Sequence, residues 1–221
     1  MKYLKEFSTF NQISYLSNTS SFNDKYSDED WDNILKLLKR DCSKFLNELS
    51  EYKTDPNNKY EWITLFRGAS NVDEIGVNGM WIKSSYDGDR KPKDMSKKIH
   101  NIFDSLFKKK FGEKLRSSGI FTTKNSLQAG DYGAPYMFFP IGNYKYYWNY
   151  YIDDLFSDIE MEPWYNFDDE DFRISEISKI VDEYIDKDLS KVTSQEVIFI
   201  CKRYYMVDIA FHTKLIEYLK K

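Results

Sequence analysis

The residues from which most metal and redox sites are built are nearly absent from this chain. Its 221 residues hold two cysteines and two histidines. No C-x-x-C, H-E-x-x-H or EF-hand spacing occurs, so no metal site is expected. Cys42 and Cys201 each fall inside an apolar run. Buried, reduced thiols there fit a reducing compartment, and a cytoplasmic location is expected. No G-x-G-x-x-G is present, which argues against a Rossmann route to a dinucleotide, and the lack of G-x-x-x-x-G-K-[ST] excludes a P-loop. No run approaches the roughly 18 apolar residues of a membrane helix. The opening MKYLKEFSTFNQISYL is broken by Glu6 and polar residues where a signal peptide needs an unbroken apolar stretch. Neither secretion nor a membrane partner is therefore expected. No internal repeat is visible.

Ala, Gly and Pro are scarce, whereas Lys, Asn, Tyr, Phe, Asp and Ile dominate, a usage that points to an AT-rich genome such as that of a phage or a low-GC bacterium. Hydrophobic residues make up 41% of the chain, enough for a sizeable core, and aromatics 18%. The net charge of -4 lacks the basic footprint of a general nucleic-acid binder. The charge is nonetheless uneven. Residues 83–116 hold eleven Lys and Arg against five acids, and residues 146–172 hold nine acids with no Lys or Arg. Each block reads either as a solvated face or as a binding wall, the first for phosphates and the second for a basic target.

Local signals place the elements. Ser27 and Asp30 look like a helix start, and Trp31, Ile34, Leu35, Leu38, Cys42, Phe45, Leu46 and Leu49 keep one face of a helix over 28–51. YEWITLF at 60–66 reads as a strand that stops at Arg67-Gly68. A long loop follows, with a short strand around Met80, Trp81 and Ile82. Ser96 caps a helix whose apolar positions run from Ile99 to Phe111 and which Gly112 ends. Lys108, Lys109 and Lys110 suit the dipole at its C-terminus. RSSGIFTTKNSLQAGDYGAPYMFFPIG at 116–142 reads as turn, strand, short helix or loop, then strand. Another strand is expected at 144–148, a surface insertion at 149–171 and a helix at 173–188. Next comes an apolar strand headed by Glu196, which 204–207 continues or pairs with, and a closing helix at 210–219. Strands separated by irregular loops, without βαβ alternation, give an α+β class with a mostly antiparallel sheet and flanking helices.

Three polar features sit on three of these strands: Arg67-Gly68, the hydroxyl pair Thr122-Thr123, and Glu196. Their order and strand placement resemble the ADP-ribosyltransferases of the Arg–Ser–Glu type, the cholera-toxin-like branch. The stretch from Trp62 to Val207 is also similar to a set of small phage proteins. These carry an FRG strand, a helix ending in FG, an RS-x-x-(I/V)F-x-T stretch, a YG-x-P-Y-x-(I/F)FPIG stretch and a late Glu-headed strand.

The resemblance implies a split antiparallel β-sandwich gripping NAD, its substrate, in the cleft between two sheets. It implies an N-terminal helical segment over 1–59 packed on a transferase-like domain over 60–221, together one compact unit. Arg67, beside Gly68, would contact the phosphates or the nicotinamide-side ribose through its fork of donors. Thr122 and Thr123 would shape the site and orient Glu196. Tyr132, Tyr136 or Phe138 would stack on the nicotinamide. Glu196 would hydrogen-bond the ribose 2′-hydroxyl and stabilise the sugar cation as nicotinamide leaves, as a carboxylate does in glycoside cleavage. The acceptor would be a host protein or nucleic acid. Thr122 and Lys124 stand where the family has serines. Ser194 stands where arginine-modifying members carry a second glutamate, so the acceptor residue is open. The alternative is a non-catalytic phage binding or structural module on the same fold.

Overall fold

The structure is a computed structural model and describes residues 25–50, 64–70, 78–85, 92, 95–192 and 195–220. The expectations for 1–23, the break at 54–58, most of the 60–66 strand, much of the loop that follows it and Ser194 lie outside the described residues. The chain is α+β with antiparallel strands and flanking helices. It divides into two compact units of interleaved segments. The first takes its described residues from Met1–Lys83, Asn125–Gly142 and Tyr204–Lys221, and the second comprises those of Ser84–Lys124 and Asn143–Arg203.

In the first unit, Ser27 makes the expected capping box. Its hydroxyl accepts from the Asp30 N–H at 3.1 Å, and Asp30 Oδ2 accepts from the Ser27 N–H at 2.7 Å. Helix α1 (Asp28–Asp41) follows, then α2 (Ser43–Ser50). The single helix expected over 28–51 is thus two. Cys42 leaves helical geometry at φ -123°, ψ 21° while its N–H still bonds the Leu38 carbonyl. Both halves bury the faces that the spacing marked. Trp31 stacks on Phe211 at 5.8 Å between centroids, and Phe45 meets Phe139 edge-on at 6.1 Å.

Strands β1 (Phe66–Ala69) and β2 (Met80–Ser84) belong to this unit, as do the short helix Ser126–Gly130 and β4 (Ala134–Pro140), a strand numbered by chain order. Strand β7 (Arg203–Asp208) and the closing helix His212–Leu219 complete it. The strand order is β2-β7-β4-β1, with β1–β4 and β4–β7 antiparallel. Strand β7 neither prolongs the strand at 196–201 nor pairs with it, the two readings expected. Its Met206 and Val207 instead face Phe138 and Met137 of β4.

Arg67 was expected at a strand end and lies inside β1, opposite Tyr136, with Gly68 opposite Pro135. The glycine is explained by backbone crowding: a Cβ at Gly68 would stand 1.9 Å from the Ala129 carbonyl oxygen. Gly68→Ala must therefore push two backbones apart. A loss of about 2–3 kcal/mol is expected, read as a lower urea midpoint with an unchanged slope. An unaltered midpoint would refute the close approach.

His212 is buried in this unit, with Nε2 3.0 Å from the Thr64 hydroxyl. Burial pulls its pKa from 6.5 down to about 4. The unfolded chain protonates this ring at a higher pH than the native one does, so stability from this group is complete above pH 6.5. It falls as the pH drops towards about 4 and levels off below. The loss is on the order of 3 kcal/mol. His212→Gln keeps a polar partner for Thr64 and removes the titration, so its unfolding free energy should fall less steeply across this window. Parallel wild-type and variant profiles would refute the assignment.

The second unit is built on α3 (Lys97–Phe111), opened by the Ser96 hydroxyl on the Ile99 N–H and closed by Gly112 at φ 79°, as the sequence indicates. Its buried Ile99, Phe103 and Phe107 enter one core with Leu115, Tyr147, Ile177, Tyr184 and Ile198. Helix α4 (Leu115–Ser118) leads into β3 (Ile120–Thr123), and β5 (Tyr144–Trp148) and β6 (Glu196–Cys201) complete the strands in the order β3-β6-β5, all antiparallel. The segment 149–171 is not the surface insertion expected. Its helix Leu155–Glu160 and 3-10 turn Pro163–Asn166 bury Leu155, Ile159 and Trp164 in that core, because apolar residues recur between the acids. Helix Glu170–Asp182 follows, somewhat shorter than expected. Lys110 Nζ donates to the carbonyls of Val181, Asp182 and Tyr184, closing the C-terminus of that helix as well as standing near the end of its own.

No helix among the described residues is long and apolar enough to cross a membrane. Cys42 and Cys201 are both buried, and neither is in a disulfide.

Candidate functional site

The antiparallel register of β3 and β6 sets Thr123 directly opposite Glu196, and Thr122 opposite Val197. Opposed residues share a face, so Thr123, Glu196 and Phe121 lie on the side that carries Ile198. That side is the one packed against the helical core, and Glu196 sits at its rim as the first residue of the strand. Thr122 lies on the other side, where its hydroxyl donates to the Val197 carbonyl at 3.0 Å and is buried. Of the hydroxyl pair, Thr123 is the one that shares a face with the carboxylate.

Arg116 reaches the same carboxylate. Its Nη1 donates to Glu196 Oε1 at 3.2 Å, and the two side chains are only 14% and 12% exposed. The guanidinium carbon also lies 4.5 Å from the Phe121 ring centroid, within cation–π range. An arginine and an aromatic face together hold the carboxylate against solvent while keeping a positive charge beside it. Arg116 Nε and the Tyr184 hydroxyl are buried with no hydrogen-bond partner among the described residues. Each has bonding capacity left for a water or a ligand atom. Burial first, and then the negative charge of Glu196, holds the Tyr184 phenol well above its ordinary pKa, so it is a neutral donor.

Arg116 is held by a buried polar brace. Asp104, on α3, accepts the Arg116 N–H at 2.8 Å and the Ser117 N–H at 3.3 Å through Oδ1, and the Ser117 hydroxyl through Oδ2. These are first-turn N–H groups of α4, a helix whose own N-cap residue, Lys114, makes no side-chain capping bond. His100, one turn earlier on α3, places Nε2 3.1 Å from the Ser117 hydroxyl and 3.3 Å from Asp104 Oδ2. Burial raises the Asp104 pKa, but the bonds from His100, Ser117 and the Arg116 N–H outweigh it and leave the carboxyl below its usual range. Ser, His and Asp are the residue types of a nucleophilic triad. Here, however, the carboxylate holds the serine proton and all three side chains are buried, so the group acts as a brace.

The remaining expected site residues belong to the first unit. Arg67, Tyr136 and Asp208 form one cross-strand row over β1, β4 and β7. The Arg67 guanidinium lies 5.7 Å from the Tyr204 ring, and Tyr136 meets Trp81 edge-on at 5.1 Å. Asp208 accepts from Lys25 Nζ at 2.9 Å and Tyr26 OH at 2.8 Å. Partial burial, and then the Asp208 charge, raises the Tyr136 pKa. Tyr132 is exposed, on the turn after the short helix. Phe138 is fully buried against Tyr204 and shows no ring face to solvent, so the stacking role does not suit it. Gly68 is accounted for by the Ala129 backbone without a ligand.

The structure thus brings Thr123 and Glu196 together in the second unit and Arg67 and Tyr136 together in the first. The sequence reading did not single out Arg116 as a partner of Glu196, nor His100, Asp104, Ser117 and Tyr184 as a polar group. One signal was available: His100 and Asp104 stand four apart on α3, each directly after a buried apolar residue. Among the described residues no group of three or more His, Cys, Asp or Glu is placed to hold a metal ion. No family model, curated protein or solved structure matches the chain.

Proposed function

We propose that the chain is a mono-ADP-ribosyltransferase that cleaves NAD and transfers ADP-ribose to a host protein or nucleic acid in the host cytoplasm, with Glu196 as its catalytic carboxylate. One observation carries this reading: the Thr123–Glu196 cross-strand pair. Two of the residues that the resemblance assigns to one site, far apart in sequence, face each other in register. The antiparallel strands and flanking helices agree with the α+β class that the resemblance implies. Arg116 places a positive charge beside Glu196, and the carboxylate form is the one needed beside a developing sugar cation. Glu196 accepts the ribose 2′-hydroxyl, and the glycosidic bond to nicotinamide breaks with its electron pair leaving on nicotinamide. An acceptor nucleophile then takes the ribosyl carbon and loses its proton. Arg67, Tyr132 and Tyr136 enter this proposal through the resemblance.

Purified protein incubated with labelled NAD and host-cell lysate should release nicotinamide and leave label on a macromolecule. If calorimetry detects no NAD binding and no nicotinamide is released, the transferase reading fails, and the non-catalytic binding module on the same fold takes its place.

A further inference from the structure

We propose that the acidic face of residues 150–174 docks a cationic segment of a partner protein, one in which Arg or Lys alternates with apolar residues. This does not rest on the transferase reading. Three observations converge on it.

The first is charge. Nine carboxylates and no Lys or Arg lie within residues 146–172. Several are engaged locally. Asp154 and Asp169 cap helices, Asp158 accepts the N–H groups of Asp153 and Asp154, and Glu170 pairs with Lys98 at 2.6 Å. Glu160, Glu162, Asp168 and Asp171 have no partner among the described residues. Burial pushes the Asp158 carboxyl up, and the charges of Asp153 and Asp154 add a smaller part.

The second is apolar exposure. Eight large hydrophobic side chains are exposed among the described residues, and six of them fall in this one segment. Tyr151 is 78% exposed and Met161 74%, and Phe167 lies 5.9 Å from Phe172, both rings also exposed. Exposed apolar side chains concentrated in one segment point to a contact surface, whereas scattered ones need no explanation.

The third is anchoring. Ile152, Leu155, Ile159 and Trp164 fix the underside of the segment in the core, and buried Arg173 donates to the Phe167 carbonyl. The exposed rings therefore stand on a fixed backbone, which limits the entropy lost when a partner docks.

Carboxylates beside aromatic faces match guanidinium and ammonium groups through charge-assisted bonds and cation–π contact. The same charge repels the phosphates of nucleic acid.

The test uses the full chain without NAD and a fluorescent 15-residue peptide of alternating Arg and Leu, followed by anisotropy at physiological salt. Saturable binding is expected. The charge-neutral triple variant Tyr151→Ser, Phe167→Ser, Phe172→Ser should weaken it about tenfold. Glu160→Gln with Glu162→Gln should weaken it as well. Glu29→Gln with Asp32→Asn, exposed acids of α1 that remove the same charge, should leave it unchanged. Equal losses from the two acid pairs, or full binding by the triple variant, would reduce the effect to net charge and overturn the proposal. A dimer in sedimentation that the triple variant abolishes would overturn it too, by assigning the face to a second copy of the chain. Unchanged thermal unfolding of each variant confirms that the surface alone was altered.

Discussion

On the proposed transferase activity, Glu196→Gln is expected to lower the rate of NAD cleavage by ~100- to 1000-fold while leaving NAD affinity within a few-fold. The carboxamide keeps the shape of the side chain and one acceptor oxygen, so Arg116 Nη1 retains a partner where it now meets Oε1 at 3.2 Å. What disappears is the negative charge, which matters only as positive charge develops on the ribose. Ground-state binding is therefore spared and the chemical step is not. Exchanging a charged for a neutral acceptor costs the fold about 1 kcal/mol, a shift of a few degrees in Tm. Nicotinamide release measured by chromatography, beside calorimetric NAD titration, separates these effects. A variant with full cleavage activity would show that the catalytic carboxylate lies elsewhere.

The largest effect on stability is expected from Asp104. Asp104→Ala removes the acceptor for the Arg116 and Ser117 N–H groups, the Ser117 hydroxyl and His100 Nε2, all in a buried setting. Leaving several buried donors unpaired costs on the order of 3–5 kcal/mol. Because α4 carries Arg116, the same change also loosens the guanidinium beside Glu196. The pH dependence identifies the cause. The native Asp104 carboxyl sits below its usual value, so its stabilisation is complete above the unfolded pKa of about 3.9 and is lost as pH falls through the lower native value. This window lies below the one assigned to His212. Asp104→Asn should therefore flatten the acid end of the stability profile and leave the region between pH 6.5 and about 4 to His212. An Asp104→Ala variant as stable as the wild type would refute the brace.

The local grammar of the chain was legible. Ser27 with Asp30, and Ser96 with Gly112, mark helix ends because capping bonds span three or four residues and depend on nothing distant. The strands at 120–123, 134–140 and 196–201 were legible because a short apolar run beside turn residues has few other conformations. Misreadings arose where a local signal met a distant constraint. Residues 149–171 read as surface because their charge is so dense, yet Ile152, Leu155, Ile159 and Trp164 belong to a core completed by helices on either side in sequence. The helix over 28–51 keeps one apolar stripe through its length, so the break at Cys42 leaves no mark in the pattern.

For the candidate site, the sequence by itself determined which chemical groups are available: a carboxylate heading an apolar strand, a hydroxyl pair ending another, and an arginine followed by glycine. Those are properties of residue type and of position within one element. Only the tertiary structure decided which of them meet. Antiparallel pairing of β3 with β6 could have taken any of several registers, and the one adopted opposes Thr123 and Glu196. A one-residue slip would have sent Glu196 to the other face. Arg116 reaches Glu196 because Asp104, on a different helix, binds the turn that carries it. Hydrogen-bond register and the satisfaction of buried polar groups are set by the whole packed core, and no window of sequence contains them.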